Sequence, residues 1–241
     1  AADVYLGLDF NVTTTPMSEE VFRSLSRRGV RLCFVVYDML PLLRPEWWPP
    51  EMSPKYERWL RTLTSVADDI CCISAAVADE VSEWVELTGI KGLYAQPAVR
   101  HFHLGADLSS SAPSRGWPEG YEAVRAALDN DAPTFLMVGT IEPRKGHAEV
   151  LEAFDQLWAA GHALNLVVVG KAGWMVDDTL ARFRSHDRLG EDLFWFDAAS
   201  EECVEDLYQC ATCLVAASEG EGFGLPLIEA ARQGLPMMVR D

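Results

Sequence analysis

Positive charge is what this chain has least of. Its 241 residues carry 20 Lys and Arg against 37 Asp and Glu, a formal net charge of −17 at pH 7. A nucleic-acid backbone demands a basic surface, so this balance argues against nucleic acid as a partner. It also disfavours a broad electrostatic grip on anionic lipid. Long apolar runs are missing: none approaches the roughly 20 residues of a membrane-spanning helix. The opening Ala1-Ala2-Asp3 lacks the basic region and apolar core of a signal peptide. With no initiator Met, the chain is expected to be a trimmed or excised piece. No G-x-G-x-x-G follows the first strand of either half, which disfavours a dinucleotide-binding dehydrogenase. There is no repeat of fixed period and no low-complexity tract.

Metal ligands are equally sparse. Cys210 and Cys213 have C-x-x-C spacing, which fits half a zinc site or a redox pair, but no second ligand pair lies nearby. Cys210 is expected to end a helix and Cys213 to begin a buried strand, so their thiols diverge. The six cysteines, Cys33, Cys71, Cys72, Cys203, Cys210 and Cys213, are read as buried small hydrophobes, and unpaired thiols fit a reducing cytoplasm. His101 and His103 share a strand face at period two. That is either a metal pair lacking a third ligand or two structural histidines.

What is present is an apolar, alternating chain. Hydrophobic residues make up 49% of it, enough for a globular core. Strand and helix signals alternate, the pattern of a parallel sheet with helices on its faces. Strands are expected at 4–8, 31–36, 69–73 and 96–103, and helices at 18–28, 53–66 and 74–87, the last capped by Ser74. The run from Ser109 to Gly116, rich in Ser with Pro and Gly, reads as a linker. A short helix at 122–128 follows, then strands at 134–138, 164–169, 193–196 and 213–217 separated by helices. In the helix expected at 147–159, Val150, Phe154, Leu157 and Trp158 form a core-facing stripe. The organisation is thus residues 1–110, a linker and short helix over 111–131, and a second α/β series over 132–241.

One segment carries most of the chemistry: Ser218-Glu219-Gly220-Glu221-Gly222-Phe223-Gly224-Leu225-Pro226-Leu227-Ile228-Glu229-Ala230. It follows a strand-like run, so it sits at a strand's carboxyl end, where open α/β sheets bind ligands. The N–H groups of Gly222, Phe223, Gly224 and Leu225 at a helix start attract phosphate oxygens. Glu221 and Glu229 on either side can accept hydrogen bonds from sugar and ribose hydroxyls. Two carboxylates alone do not tell a glycosidase from a transferase, but the phosphate features have no place in a glycosidase.

The same run, Glu-seven residues-Glu around Glu-Gly-Phe-Gly-Leu-Pro, resembles the donor-site motif of retaining GT-B glycosyltransferases of family 4. Phe135-Leu136-Met137-Val138-Gly139-Thr140-Ile141-Glu142-Pro143-Arg144-Lys145-Gly146-His147 is similar to the strand, glycine turn and Arg-Lys pair that open the family's donor domain. Gly170-Lys171-Ala172-Gly173-Trp174 is similar to its third donor-side loop, and all three lie in family order. Weaker likeness extends to Val36-Tyr37-Asp38-Met39-Leu40-Pro41 and His103-Leu104-Gly105-Ala106-Asp107. The resemblance implies an α/β protein of GT-B type: two Rossmann-like α/β/α domains with parallel sheets facing each other across a cleft, acceptor domain first, donor domain second. The N-terminal domain here is expected to be incomplete, without the family's Gly-rich loop. Past Met238-Val239-Arg240-Asp241, one more strand and closing helices are expected.

The resemblance also implies residue roles. Lys145 and Arg144 become the cations for the leaving diphosphate, and Glu221 the catalytic contact to the donor sugar near its reacting carbon. Glu229 becomes the ribose acceptor, with Gly139, Thr140, Gly222, Phe223, Gly224 and Leu225 lining the donor pocket. Lys171 either faces a phosphate or the base, or is a solvated loop lysine. Trp174 packs or stacks on the base, and Asp197 is a candidate partner for a guanine edge. Thr140 stands where many relatives carry Arg. On the acceptor side Tyr37 replaces a frequent His, and Asp38 either orients a hydroxyl or caps a turn. The implied activity transfers a hexose, with mannose favoured, from GDP-mannose or another nucleotide-diphosphate sugar without metal or other cofactor. The acceptor would be a growing polysaccharide or lipid-linked glycan in the cytoplasm, at the inner face of the membrane if parts outside this chain associate with it. The competing reading is a non-catalytic module that binds nucleotide sugar. Oligomeric state is not legible.

Overall fold

The computed structural model describes residues 3–105, 114–130 and 132–240. It divides into two compact units, Ala1–Gly105 with Glu221–Phe223, and Ala106–Gly220 with Gly224–Asp241. In the first unit β1 (Val4–Gly7), α1 (Thr14–Met17), α2 (Glu19–Arg27), β2 (Arg31–Val36), α3 (Leu40–Leu43), α4 (Met52–Val66), β3 (Asp69–Cys72), α5 (Ala75–Thr88) and β4 (Ala98–His101) follow in order. The second unit holds α6 (Tyr121–Leu128), β5 (Thr134–Val138), α7 (His147–Ala159), β6 (Asn165–Val169), α8 (Asp177–Ser185), β7 (Leu193–Phe196), α9 (Glu201–Cys210), β8 (Cys213–Ala216), α10 (Leu225–Arg232) and β9 (Met237–Val239). Every described strand pairing is parallel. The orders are β1-β2-β3-β4 and β7-β6-β5-β8-β9.

Parallel strands need crossover helices, and helices on both faces bury both sides of each strand. In the second sheet the inner strand β6 obeys this fully, while the edge strand β9 is exposed along its length. All five residues of β6 are buried, and alternate side chains feed two separate cores. Leu136, Val167, Val169, Phe194, Phe196 and Leu214 join one core with Tyr121, Leu207 and Ala230. Met137, Leu166, Val168, Leu193 and Val215 join the other with Leu151, Phe154, Trp158 and Phe183. In the first unit one cluster forms, from Leu32, Phe34, Val36, Ile70 and Cys72 against Phe22, Trp59, Leu60, Leu63 and Val81. The alternate positions there are more polar. Asp69 pairs with Arg31 at 2.6 Å and Arg100 at 3.3 Å. The hydrogen bond from Arg31 holds the Asp69 carboxyl below its ordinary range.

Local signals set the helix boundaries. Ser74 Oγ accepts from Val77 N at 3.3 Å, and Ser200 Oγ from Cys203 N at 3.0 Å. Gly89, at φ 61°, ends α5 in the left-handed region that favours glycine. The expected Ser-rich linker is described only from Ser114. Its residues 109–113, like Ala106, Asp107 and Asp241, lie outside the described residues. Ser114 and Gly116 N–H groups donate to Glu201 and Glu202 at 2.7 and 2.9 Å, which fastens this stretch to the start of α9.

Four expectations need correcting. Leu157 is 37% exposed, and Leu151, fully buried, takes its place on the core stripe of α7. Cys210 is exposed rather than buried, with Arg125 donating to its sulfur at 3.6 Å, because it lies in the last, solvent-facing turn of α9. The strand expected to reach His103 ends at His101; both imidazoles are exposed, and their rings stack at 5.8 Å. Met237 to Val239 form a strand of their own beside β8. No cluster of three metal-ligating side chains occurs among the described residues.

Asn165 is the polar exception in the second core. It is 1% exposed, and its Nδ2 donates to Ala127 O at 3.1 Å and Thr134 Oγ1 at 3.0 Å, joining α6 to the sheet. Asn165→Leu should therefore cost about 1–3 kcal/mol, the desolvation of two orphaned acceptors, read as a lower urea midpoint with unchanged m-value.

Candidate functional site

The loops after β5, β6 and β8 leave the same, carboxyl, end of a parallel sheet. Glycine lets the first two approach closely. Gly139 N–H donates to Val169 O at 2.9 Å, and a Cβ on Gly170 would collide with Gly139 O. Ile141 N–H donates to Lys171 O and Gly173 N–H to Ile141 O, both at 2.9 Å. Here Lys171 contributes its carbonyl, while its side chain is exposed. Trp174 is half-buried, and Asp197, just past β7, is exposed.

Gly139 has φ 139°, outside the range other residues readily take. A Cβ there would lie 3.8 Å from both Cε and Nζ of Lys145, so the lysine's ammonium rests over this glycine. Thr140 is half-buried, and a Cβ added to Gly173 would lie 3.0 Å from its Cγ2.

Arg144 is engaged inward. Its guanidinium meets Glu142 at 2.6 Å and donates to Gly220 O at 2.5 Å, with the two side chains 13% and 4% exposed. The Arg144 carbonyl in turn accepts from Glu219 N–H at 2.8 Å. The Arg-Lys pair read from the sequence therefore divides into an arginine that joins two loops and a lysine over Gly139. Glu142 was not singled out as a site residue. Its position after a strand and two residues before Arg144 was the only available signal.

Gly146 and Gly224, at φ 71° and 82°, begin α7 and α10. A Cβ on Gly146 would come within 2.7 Å of Ala217 O. Leu225 is the exposed first residue of α10, and Pro226 follows it, where a missing N–H costs nothing. Glu229, half-buried one turn on, accepts from Tyr208 OH at 2.8 Å. Glu221 is exposed, and Gly222 and Phe223 are half-buried; these three belong to the first unit.

Tyr37 and Asp38 follow β2 in that first unit. Tyr37 OH donates to Leu8 O at 2.8 Å. Asp38 accepts from Leu40 N–H at 3.0 Å, the turn-capping arrangement, and its carbonyl accepts from Tyr56 OH.

Comparison with known proteins defines the fold and the family. The chain has the α/β fold with parallel sheets of GT-B glycosyltransferases. It superposes on a UDP-forming α,α-trehalose-phosphate synthase from Burkholderia xenovorans with TM-score 0.69 at 13% identity, covering 99% of this chain and 58% of that one. It also superposes on Anabaena Alr3699/HepE, solved with UDP and glucose, with TM-score 0.64 at 16% identity, covering 98% and 58%. Through residues 122–241 the chain belongs to the glycosyl transferases group 1 family. It is 44% identical over 241 residues to the serotype-specific mannosyltransferase WbdA of Escherichia coli, spanning 99% of this chain and 29% of that protein. The O-antigen chain mannosyltransferase B of Escherichia coli is 32% identical over 104 residues, 43% of this chain and 27% of that one. The chain thus spans less than a third of these mannosyltransferases.

His147 heads α7 two residues after Lys145 and is 4% exposed. Burial first, and then the Lys145 charge, push its pKa from 6.5 down to about 4. The folded imidazole is therefore neutral, and the unfolded chain binds its proton more tightly. The resulting stability is complete above pH 6.5 and is lost as pH falls toward 4, by up to about 3 kcal/mol. The drop in urea midpoint between pH 7 and pH 4 should be smaller in His147→Gln than in the wild type.

Proposed function

We propose that the chain is the donor-binding part of a retaining glycosyltransferase that moves mannose from a nucleotide-diphosphate sugar to a growing polysaccharide or lipid-linked glycan. The observation that carries this reading is the meeting of Lys145 with Gly139 at the carboxyl end of β5, one loop away from the start of α10. A diphosphate leaving group gains negative charge as the sugar–oxygen bond breaks, so a cation and N–H groups held in place lower the barrier. Lys145 is the cation in this proposal. Gly224 and Leu225 supply N–H groups at a positive helix end, and Glu229 accepts from the ribose. Gly139, Thr140 and Lys171 line the pocket, and Arg144 shapes it through Glu142 and Gly220 as well as adding positive charge.

No metal or cofactor is needed in this scheme, because Lys145, Arg144 and backbone N–H groups carry the charge stabilisation. GDP-mannose is the favoured donor, supported by the 44% identity to a mannosyltransferase. Tyr37 and Asp38 lie on the acceptor side. No helix among the described residues is long and apolar enough to cross a membrane. Unpaired thiols fit a reducing cytoplasm, where we place the reaction, at the membrane's inner face if parts outside this chain associate with it. A second reading, nucleotide-sugar binding without transfer, is favoured by the internal engagement of Arg144 and by Tyr37 in place of His.

Calorimetric titration with GDP-mannose, UDP-glucose and GDP tests the proposal. One nucleotide series should bind saturably. Lys145→Ala should weaken it about 10- to 100-fold, as losing a charged hydrogen bond implies, and Lys145→Ala combined with Glu229→Ala should abolish it. Binding that is indifferent to both substitutions would refute the site. Binding without transfer by the longer parent protein would favour the second reading.

A further inference from the structure

Tyr208 lies in the last turn of α9. Its ring is 3% exposed, packed in the core with Leu207, Leu214 and Ala230. The hydroxyl donates to Glu229 Oε2 at 2.8 Å. Core side chains have little rotational freedom, so this phenol is a fixed donor at a fixed place. Burial first, and then the negative charge of Glu229, push its pKa up, so the proton stays on the phenol at any physiological pH. Glu229 is only half-buried, and a glutamate at such a position has rotamer freedom to lose on being ordered.

We propose that Tyr208 is the positioning residue for donor recognition: it holds Glu229 Oε2 and thereby leaves the other carboxylate oxygen aimed at the ribose hydroxyls of the bound nucleotide. This rests on the assignment of Glu229 to the ribose. The phenol removes the entropy of ordering Glu229 before the ligand arrives, so the effect is confined to ligands that carry ribose hydroxyls.

The test titrates the full chain with GDP, 2′,3′-dideoxy-GDP and inorganic pyrophosphate. Tyr208→Phe keeps the buried ring and should melt within a few degrees of wild type. It should weaken GDP five- to twentyfold while leaving the dideoxy nucleotide and pyrophosphate within twofold. Glu229→Ala should weaken GDP at least as much, and the double variant no more than Glu229→Ala alone. Glu229→Asp, which withdraws the carboxylate from both the phenol and the ribose without touching the core, should weaken GDP at least as much as Tyr208→Phe and leave the dideoxy nucleotide and pyrophosphate within twofold. If Glu229→Ala weakens GDP and Tyr208→Phe does not, the positioning role is overturned and the ribose site stands. Equal weakening of all three ligands by Tyr208→Phe marks a merely structural phenol and also overturns it. If wild type fails to bind GDP, or does not distinguish it from the dideoxy form, the ribose assignment falls and this inference with it.

Discussion

The ion pair of Glu142 and Arg144 is the constraint on which the donor-side loops depend. Both side chains are nearly out of water, and the guanidinium also takes the Gly220 carbonyl from a loop 76 residues away in sequence. A buried pair adds little net stability over an apolar replacement, because desolvating two charges cancels much of their attraction. Removing one partner is another matter, since it leaves a charge in low dielectric without its counterpart. The pair therefore dictates geometry more than stability: with Arg144 drawn toward Gly220, the next residue, Lys145, lies over Gly139.

Much of the fold was legible because parallel strands buried on both faces read as short apolar runs. Thr134–Val138, Leu193–Phe196 and Arg31–Val36 emerged with their observed limits. What escaped were elements whose cause is tertiary. The single turns Thr14–Met17 and Leu40–Leu43 each contain a proline and have no periodicity to detect. Leu157 matched the helical stripe, yet the stripe is fixed by which side of α7 the sheet covers, and Leu151 lies on that side. Among site residues, glycines and cations announced themselves by type and spacing. Glu142 and Tyr208 did not, because a carboxylate in a loop and a tyrosine in an amphipathic helix are common. Only their partners give them meaning.

Charge is distributed unevenly between scales. The chain as a whole is strongly acidic, while the turn after β5 holds the Lys145 ammonium over Gly139. A local cation in a globally negative molecule is felt by a ligand only at close range, within roughly a Debye length of about 8 Å at physiological salt. Long-range attraction of an anionic donor is therefore weak, and its capture relies on short, directional contacts. The low pKa of His147 belongs to the same balance: a protonated imidazole beside Lys145 would bring two cations together where water is excluded.

The glycines between the loops after β5 and β6 set a boundary on how this protein can change. Gly170 approaches the Gly139 carbonyl too closely for any side chain, Gly173 comes within 2.5 Å of Ile141 O by the same measure, and Gly139 needs a backbone conformation other residues avoid. None of these positions can be varied to suit a different ligand. Variation is open only where side chains already project, at Thr140, Lys171 and Trp174. A library randomised at those three positions explores new specificities on an intact frame, whereas one that includes the glycines mostly samples broken loops.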